Sequence, residues 1–297
     1  MSLRSIASKI PYAGKLYRKM KPRKEYVDGG EAFHQQLQQQ ILHQHKAAIK
    51  AGDVLDNISD AGFRCYSQFE EDGIILYILA AIGMKTRRVV EMCCGSGSEC
   101  MAANLIINHG FEGLLLDGDD ISIRNANRFF ASKKDCLLNQ PTIRKAWITR
   151  DNVNELLSDM AGEVDVLSLD MDGIDYWVWE AIEAINPRLC VFETHNLVPG
   201  DLSITVPYDP GFNCWSKKGD DKLFRSVSLP AMVKLSKRKG YRLIGTHRHG
   251  FNAFFLREDL APDIFPEVSV DSVHDNPWTR KQVEMWPRIK DMGWVEV

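Results

Sequence analysis

Acidic and polar side chains follow two consecutive apolar runs of the sequence, at residues 164–170 and 189–193. Because neighbouring strands of an open parallel sheet end at the same edge, side chains that follow both runs would converge. Converging carboxylates repel one another unless protons or a divalent cation lie between them, and hard oxygen ligands favour Mg²⁺ or Ca²⁺. The predicted metal ligands are Asp170, Asp172, Glu193, His195 and Asn196.

The same residues also have a structural interpretation. Asp172 and Asp175 would then cap a helix predicted for residues 176–185, and His195 would be a buried histidine with satisfied hydrogen bonds. The sequence leaves both interpretations open.

A glycine-containing turn, Glu91-Met-Cys-Cys-Gly95-Ser-Gly97, lies between an earlier apolar run and a helical stretch. Such a turn lets backbone amides approach a ligand at the helix start, although tight turns also need glycine for steric reasons. Asp117 stands 20 residues beyond Gly97 at the end of the next apolar run. Doubly wound folds place a ribose-binding carboxylate there, and a helix cap is the alternative. Together the two signals predict a nucleoside ligand.

The missing motifs indicate which nucleoside it is. Cys100 occupies the third glycine position of a dinucleotide-binding turn, and the chain has no Gly-x-x-x-x-Gly-Lys-Ser/Thr loop. Glu91 at the turn would repel phosphates and attract an ammonium group. These features favour S-adenosylmethionine over dinucleotides and ATP.

The predicted strands and helices that must position these residues alternate along the chain, as they do in βαβ units. A helix is predicted over residues 68–82, with Ser67 and Glu70 as a capping box and Gly83 at its end. The predicted fold is α/β, a Rossmann-like doubly wound sheet of seven strands, mostly parallel, with a C-terminal antiparallel hairpin and an N-terminal helical extension. The predicted strands are residues 88–92, 113–116, 144–148, 164–170, 189–193, 242–246 and 252–257.

Four segments are expected along the chain. They are a basic arm (residues 1–30), a helical extension (31–65), a catalytic domain (66–260, with an acceptor loop or lid at 197–228) and a C-terminal tail (261–297). Between residues 1 and 24 there are eight Lys or Arg and no acid. The arm would lie on an anionic membrane surface or an acidic polymer, or it is a solvated tail or a helix packed on a partner subunit.

The composition excludes several other classes. A net charge of −3 provides no global field for nucleic acid, so no nucleic-acid partner is expected. The longest apolar run, residues 73–83, is too short to span a bilayer, which takes about 20 residues. Without a secretory signal, a cytoplasmic location is expected, peripheral to the inner membrane face if the arm binds lipid, and the seven cysteines are read as reduced thiols.

The order of these motifs resembles that of class I S-adenosylmethionine-dependent methyltransferases. The chain is further similar to FkbM-like enzymes, many of which methylate sugar hydroxyls, and this similarity covers residues 66–259. The motifs are Val-Val-Glu91-x-Cys-Cys-Gly95-x-Gly97, Leu-Leu-Leu-Asp117, Leu-Ser-Leu-Asp170-x-Asp172-Gly173, Ser67-Gln68-x-x-Glu71-Asp72-Gly73 and Gly240-Tyr-Arg-Leu-Ile-Gly245 with Asn252-Ala-Phe-Phe255.

The resemblance implies a set of cofactor-binding residues. The turn would hold the methionine end, Asp117 with help from Asp119 the ribose, and Asp151 and Asn152 the adenine, unless these last two only cap a helix. Cys93 departs from the family pattern, because it replaces the first glycine of the turn. The full set is Gln68, Glu91, Gly95, Gly97, Asp117, Asp119, Asp151 and Asn152.

Methyl transfer to an alcohol also needs a base or a metal that acidifies the hydroxyl. The predicted catalytic residues are His195 first and Asp170 second, with His247 and His249 as further candidates. Acceptor contacts are expected from the lid, at Tyr208, Phe212, Trp215, Asp201, Asp209, Asn213 and Lys217, although its aromatic residues would equally serve to pack the loop.

The predicted function is methyl transfer from S-adenosylmethionine to a hydroxyl of a sugar or glycan, with Mg²⁺ as a candidate second cofactor. The alternatives are a methyltransferase for a small natural product and a non-catalytic nucleoside-binding or assembly module. Three tryptophans near the C-terminus suggest a homo-oligomer contact or cover for the core.

Overall fold

The computed structural model describes residues 31–297. The predicted basic arm, residues 1–30, lies outside the described residues. Within the described part of the chain, no helix combines the length and apolar character needed to cross a bilayer.

A seven-stranded sheet organises the described residues, and the predicted α/β fold is confirmed. Its strand order is β3-β2-β1-β4-β5-β8-β7, in which β1 to β5 pair in parallel and β8 pairs antiparallel with both β5 and β7. The strands are β1 (Arg88–Met92), β2 (Glu112–Asp117), β3 (Thr142–Lys145), β4 (Gly162–Leu169), β5 (Ile185–Glu193), β6 (Ile204–Thr205), β7 (Tyr241–Thr246), β8 (Asn252–Arg257) and β9 (Val295–Glu296).

Helices cover both faces of this sheet. They are α1 (Glu31–Lys50), α2 (Glu71–Ile82), α3 (Met101–His109), α4 (Asp120–Ser132), α5 (Val153–Leu156), α6 (Asp175–Ala181), α7 (Leu229–Arg238), α8 (Val270–His274) and α9 (Pro277–Val283). Successive strand residues point to opposite faces, so Val89 packs with α2 and α3 whereas Val90 packs with α6 and α7. The sheet is therefore doubly wound, as predicted.

The start of α2 differs from the predicted capping box. The helix begins at Glu71, and the side chain of Glu70 makes no capping hydrogen bond. Instead, the Ser67 hydroxyl accepts a hydrogen bond from the Asp72 amide (3.2 Å), and the Asp72 carboxylate accepts one from the Ser67 amide (2.8 Å). The predicted partner of Ser67 was wrong because the reciprocal contact spans five residues rather than three. The predicted end at Gly83 is confirmed.

The predicted range of β3 was also shifted. The strand ends at Lys145, where the Ala146 amide still donates a hydrogen bond to the Asp117 carbonyl (2.8 Å), and residues 147 and 148 lie beyond it. The lid forms a second, two-stranded sheet with the tail, because β6 pairs antiparallel with β9. The C-terminal segment thus holds the lid against the domain.

Candidate functional site

A main cavity of about 580 Å³ opens at the carboxyl ends of β1, β2 and β4. Asp117 and Asp119 line it from β2, and Asp170 and Asp172 line it from β4. Open parallel sheets bind ligands at this edge, and the volume lies within the usual range for small-molecule sites, roughly 300–1,000 Å³.

An inner cavity of about 150 Å³ lies deeper, against the starts of α2 and α3. Cys93 and Asp170 line both cavities, so the two meet at these side chains. The remaining lining residues of the inner cavity are Gln68, Glu71, Glu91, Glu99, Cys100, Met101 and Asn252.

Asp117 connects the glycine turn to the second strand. Its two carboxylate oxygens accept hydrogen bonds from the amides of Gly95 (2.9 Å) and Asp119 (2.8 Å). Burial raises the pKa of Asp117 from its usual range. Asp119 caps α4 by accepting a hydrogen bond from the Ser122 amide at 2.7 Å, which lowers the pKa of Asp119. Both predicted ribose-side residues therefore line the main cavity.

The two predicted glycines of the turn have different surroundings. A Cβ on Gly97 would lie 3.0 Å from the Phe130 ring, and the φ of Gly97 is +78°, so packing against α4 requires glycine here. Gly95 also has a positive φ, of +54°, but open space beside it.

Cys93 adopts a left-handed backbone conformation, with φ of +63°. Residues other than glycine rarely do so, and the strain is typical of functional sites. The Cys93 side chain lies where the two cavities meet.

Glu91 faces the start of α3. Its carboxylate accepts hydrogen bonds from the amides of Met101 (3.1 Å) and Ala102 (2.6 Å) and from the Cys100 thiol (3.0 Å). Burial raises the pKa of Glu91 to about 7. The Glu91 side chain therefore fixes the turn to the helix as well as lining the inner cavity.

Glu71 and Asn252 line the inner cavity but were not among the predicted site residues. The Asn252 side-chain amide donates a hydrogen bond to Glu71 (2.7 Å), and the Phe69 backbone amide donates another (2.9 Å). Asn252 Oδ1 is buried and has no hydrogen-bond partner among residues 31–297. Both residues stand in the motifs that carry the family resemblance, so these motifs could have identified them as site residues.

Three predicted metal ligands do come together. Carboxylate oxygens of Asp170, Asp172 and Glu193 lie within 4.8 Å of one another. Burial, with the neighbouring carboxylates, raises the pKa values of Asp170 and Glu193. Arg225 of the lid forms an ion pair with Asp172, and the Trp215 indole donates a hydrogen bond to Asp172 at 3.0 Å.

His195 and Asn196 lie apart from this cluster. The backbone leaves the strand after Glu193, and the His195 amide donates a hydrogen bond to the carbonyl of Val227. The His195 ring donates to the Leu223 carbonyl (2.6 Å), and burial lowers its pKa to about 4. The Asn196 amide points to the His249 carbonyl (3.4 Å). Of the five predicted metal ligands, three carboxylates therefore lie together, whereas His195 and Asn196 make their hydrogen bonds elsewhere.

Asp151 and Asn152 lie outside both cavity linings. Tyr208 donates a hydrogen bond to Asp151 (2.8 Å), and Asn152 accepts one from the Thr149 amide (2.9 Å). Trp147 lines the main cavity in their place, because β3 ends two residues before it.

Among the predicted acceptor contacts and the further histidine candidates, some residues line a cavity and others do not. From the lid, Phe212, Asn213 and Trp215 line the main cavity, whereas Tyr208 does not. His247 and His249 pack around Phe69 behind the inner cavity and are absent from its lining.

No protein-family model matches the chain, and no curated protein matches it in sequence. Solved structures do match, and many of them are S-adenosylmethionine-dependent methyltransferases. Magnesium protoporphyrin IX methyltransferase from Synechocystis PCC 6803, with bound S-adenosylmethionine, shares 13% identity over 63% of this chain and 77% of its own, with a TM-score of 0.40.

Two further matches are equally distant. A methyltransferase from Clostridium acetobutylicum ATCC 824 shares 11% identity over 60% of this chain and 86% of its own, with a TM-score of 0.38. An N-methyltransferase from Haemonchus contortus, in complex with phosphomonomethylethanolamine and S-adenosylhomocysteine, shares 15% identity over 56% of this chain and 36% of its own, with a TM-score of 0.38. At such low sequence identity and TM-score, these matches do not establish what this chain does.

Proposed function

We propose that this chain is an S-adenosylmethionine-dependent methyltransferase that transfers a methyl group to a hydroxyl of a sugar or glycan, assisted by Mg²⁺. The observation that carries the proposal is the meeting of the two cavities at Cys93 and Asp170. One cavity suits a nucleoside and the other suits a cationic amino acid, and the reacting centre would lie between them.

The charges of the two linings support this cofactor over phosphate-containing nucleotides. Neither lining includes Lys, Arg or His, and the inner cavity includes Glu71, Glu91 and Glu99. Such surroundings would repel a pyrophosphate and attract an ammonium group. Asn252 Oδ1, which has no hydrogen-bond partner within the described chain, offers a further acceptor.

The chain's own residues would bind and orient the cofactor, which supplies an electrophilic methyl group when it is bound. Asp117 would accept hydrogen bonds from ribose hydroxyls, and Trp147 would cover the base. Gln68, Glu71 and Asn252 would bind the amino acid end. Orientation by these contacts would supply most of the rate acceleration.

The acceptor would bind on the lid side of the main cavity. Phe212 and Trp215 provide flat apolar surfaces, and Asn213 provides a hydrogen-bonding side chain. With His195 held elsewhere, Asp170 is the group best placed to take the hydroxyl proton, because it lines both cavities.

The three carboxylates fit a divalent cation. Arg225 offsets only one of their charges, and Glu193 Oε2 is buried without a hydrogen-bond partner in the described chain. Asp170, Asp172 and Glu193 would hold Mg²⁺, which would lower the pKa of a coordinated hydroxyl.

Calorimetry with S-adenosylmethionine and S-adenosylhomocysteine tests the proposal. Both should bind, and Asp117→Asn should weaken binding by about tenfold to a hundredfold, because hydrogen bonds to a charged acceptor are lost. Asp120→Asn is the matched control, since it makes the same charge change at an exposed position paired with Lys145. Absence of binding of either compound at about 1 mM would contradict the proposal.

An intact-mass screen of candidate glycans incubated with the protein and S-adenosylmethionine tests the acceptor. A gain of one methylene mass on a glycan is expected. Methylation of small natural products alone would contradict the sugar assignment but not the activity.

A further inference from the structure

His247 lies in the turn between β7 and β8, behind the inner cavity. Its side chain is fully buried, and the rings of Phe69 and Phe251 pack against it with centroids 5.9 Å and 4.3 Å away. It lines neither cavity. Even so, each nitrogen of a buried imidazole needs a hydrogen-bond partner, because an unpaired polar group away from water costs free energy.

The hydrogen bonds of this turn determine which ring nitrogen of His247 carries the proton. The backbone amide of Asn252 donates a hydrogen bond to Nδ1 of His247 (3.2 Å), so Nδ1 is an acceptor and carries no proton. Burial lowers the pKa of His247 to about 4, and the ring is therefore neutral at pH 7. A neutral imidazole carries one proton, which must then lie on Nε2.

The Nε2–H group of His247 lies near the carboxylate of Glu71. Glu71 Oε1 is 3.8 Å from Nε2, which is too long for a hydrogen bond. Nε2 is buried and has no hydrogen-bond partner among residues 31–297. Asn252 Oδ1 also lacks one in this part of the chain, although the amide nitrogen of the same side chain donates to Glu71 Oε1 at 2.7 Å. One buried carboxylate is thus flanked by an unsatisfied donor and an unsatisfied acceptor.

The charge and the unsatisfied atoms around Glu71 indicate which chemical group fits there. The linings of both cavities contain no Lys or Arg that would pair with the Glu71 carboxylate. An ammonium group has three donors and a positive charge, so it would satisfy Asn252 Oδ1 and offset the charge of Glu71 together. Nε2–H of His247, a donor, would remain available for Glu71.

We propose that His247 is a positioning residue for the ammonium group of the bound cofactor, acting through Glu71 and Asn252. This role rests on the proposed binding of S-adenosylmethionine. Nδ1 of His247 holds the backbone of Asn252, whose Oδ1 would accept a hydrogen bond from the ammonium group. Nε2–H would donate to Glu71 Oε1 once the two atoms approach by about 1 Å.

The neutral state of His247 suits this role. A neutral N–H group stabilises a carboxylate in one orientation without cancelling its charge. A Lys or Arg in the same place would neutralise Glu71 and weaken its attraction for a cation. Ligands that carry the ammonium group should therefore gain affinity from His247, and nucleosides that lack it should not.

Calorimetry with two ligands separates this role from simple packing. S-adenosylhomocysteine carries the ammonium group, whereas methylthioadenosine keeps the nucleoside and the sulfur but lacks the amino acid end. His247→Asn keeps an acceptor near the position of Nδ1 and removes the donor at Nε2. It should weaken binding of S-adenosylhomocysteine by about tenfold and that of methylthioadenosine by less than about twofold, because only the first uses the hydrogen bond to Glu71.

A rescue variant and a matched control complete this experiment. His247→Gln returns an amide donor to the position of Nε2, so it should bring the ratio of the two affinities back to within about threefold of its original value. His249→Asn is the control, because His249 also packs on Phe69 but its Nδ1 lies 4.0 Å from Glu70, which lines neither cavity. It should leave the ratio unchanged, and melting temperatures should confirm that all three variants fold.

NMR of the unchanged chain with nitrogen-labelled histidine tests the same role without a substitution. His247 should show the tautomer with the proton on Nε2. S-adenosylhomocysteine should shift the Nε2 proton signal downfield, because the hydrogen bond to Glu71 then forms, and methylthioadenosine should leave this signal in place.

Three results would overturn the proposal. In the first, His247→Asn weakens both ligands by the same factor or weakens neither, so the ring serves only to pack the turn. In the second, the His247 proton lies on Nδ1, or the Nε2 signal does not respond to S-adenosylhomocysteine. In the third, the unchanged chain binds methylthioadenosine as tightly as S-adenosylhomocysteine, so the nucleoside site stands but the ammonium site does not. Failure of both ligands to bind would instead contradict the proposed function, and this role with it.

Discussion

Asp170 lies at the junction of the main cavity and the inner cavity. It lines both cavities, and Asp172 and Glu193 crowd it. The nearby Asp175 has a different role, because its carboxylate accepts hydrogen bonds from the amides of Met171 (2.8 Å) and Gly173 (3.0 Å). After β4, Asp170 and Asp172 thus face the main cavity, whereas Asp175 holds the backbone.

This difference between Asp170 and Asp175 can be tested by matched substitutions. Asp170→Asn should reduce kcat by about a hundredfold or more, because the proposed base, which is also a proposed Mg²⁺ ligand, is lost. Little stability should be lost, since a crowded charge is removed. Asp175→Asn should instead lower the free energy of unfolding by about 1–3 kcal/mol, with the folded protein retaining most of its activity. Turnover assays and urea denaturation of both variants measure this, and equal loss of activity would contradict the assignment.

The backbone strain at Cys93 can also be tested by substitution. Cys93→Gly should raise the free energy of unfolding by about 0.5–1 kcal/mol, because glycine adopts a positive φ without strain but loses more entropy on folding. Ala261→Gly, at a φ of +44° in a residue that lines neither cavity, is the control. Both variants should be stabilised in urea denaturation, and only Cys93→Gly should alter cofactor affinity. A destabilised Cys93→Gly variant would show that the thiol's packing outweighs the strain.

At the scale of elements, Glu91 joins β1 to α3. Burial raises its pKa to about 7 from an ordinary value of 4.5. The folded state therefore holds a proton that the unfolded state loses at lower pH. The contribution of Glu91 to stability is complete below about pH 4.5 and falls as the pH rises to about 7.

Glu91→Gln should accordingly flatten the pH dependence of stability. Between about pH 4.5 and pH 7, the decline in the free energy of unfolding should be smaller in the variant by about 1–3 kcal/mol. Urea denaturation at several pH values measures this difference. Glu155→Gln, at an exposed position in α5, is the control and should leave the profile unchanged. An unchanged profile in Glu91→Gln would mean that Glu91 does not bind a proton in this range.

At the scale of the whole molecule, the C-terminal tail holds the lid. Trp294 packs against Phe224 of the lid, with ring centroids 4.6 Å apart, and β9 pairs with β6. Arg288 forms an ion pair with Asp220 of the lid. Because Phe212 and Trp215 belong to the same lid and line the main cavity, the tail indirectly shapes that side of the cavity.

Trp294→Ala should therefore loosen the lid. The expected results are a loss of about 2 kcal/mol in the free energy of unfolding, because Trp294 is only partly buried, and faster protease cleavage within residues 197–228. The KM for the acceptor should rise. This rise should be larger, as a fold-change, than any change in the affinity for S-adenosylmethionine. Trp278→Ala is the control, because Trp278 packs on His249 instead. Equal protease sensitivity in the two variants would contradict a specific role of the tail.

Local patterns were sufficient to predict the fold. The alternation of apolar runs and helical stretches predicted β1 and β8 with their observed boundaries, and it predicted the terminal hairpin. It could do so because hydrophobic periodicity reflects the two faces of a buried sheet. The capping partner of Ser67 and the end of β3 were predicted incorrectly, because each depends on which nearby group satisfies a backbone amide. Several groups at similar distances along the chain could do so.

The sequence by itself determined the sheet, the glycine turn and the acidic strand ends, because these follow from residue types at short separations. Only the tertiary structure decided which side chains share a cavity. It brought Asp170, Asp172 and Glu193 together, turned His195 and Asn196 toward the lid and the hairpin, and placed Asn252 beside Glu71, 181 residues earlier. The physical reason is that a side chain's direction after a strand end depends on which distant backbone group accepts or donates the next hydrogen bond. For His195 that group is the carbonyl of Val227, and no local pattern of the sequence indicates it.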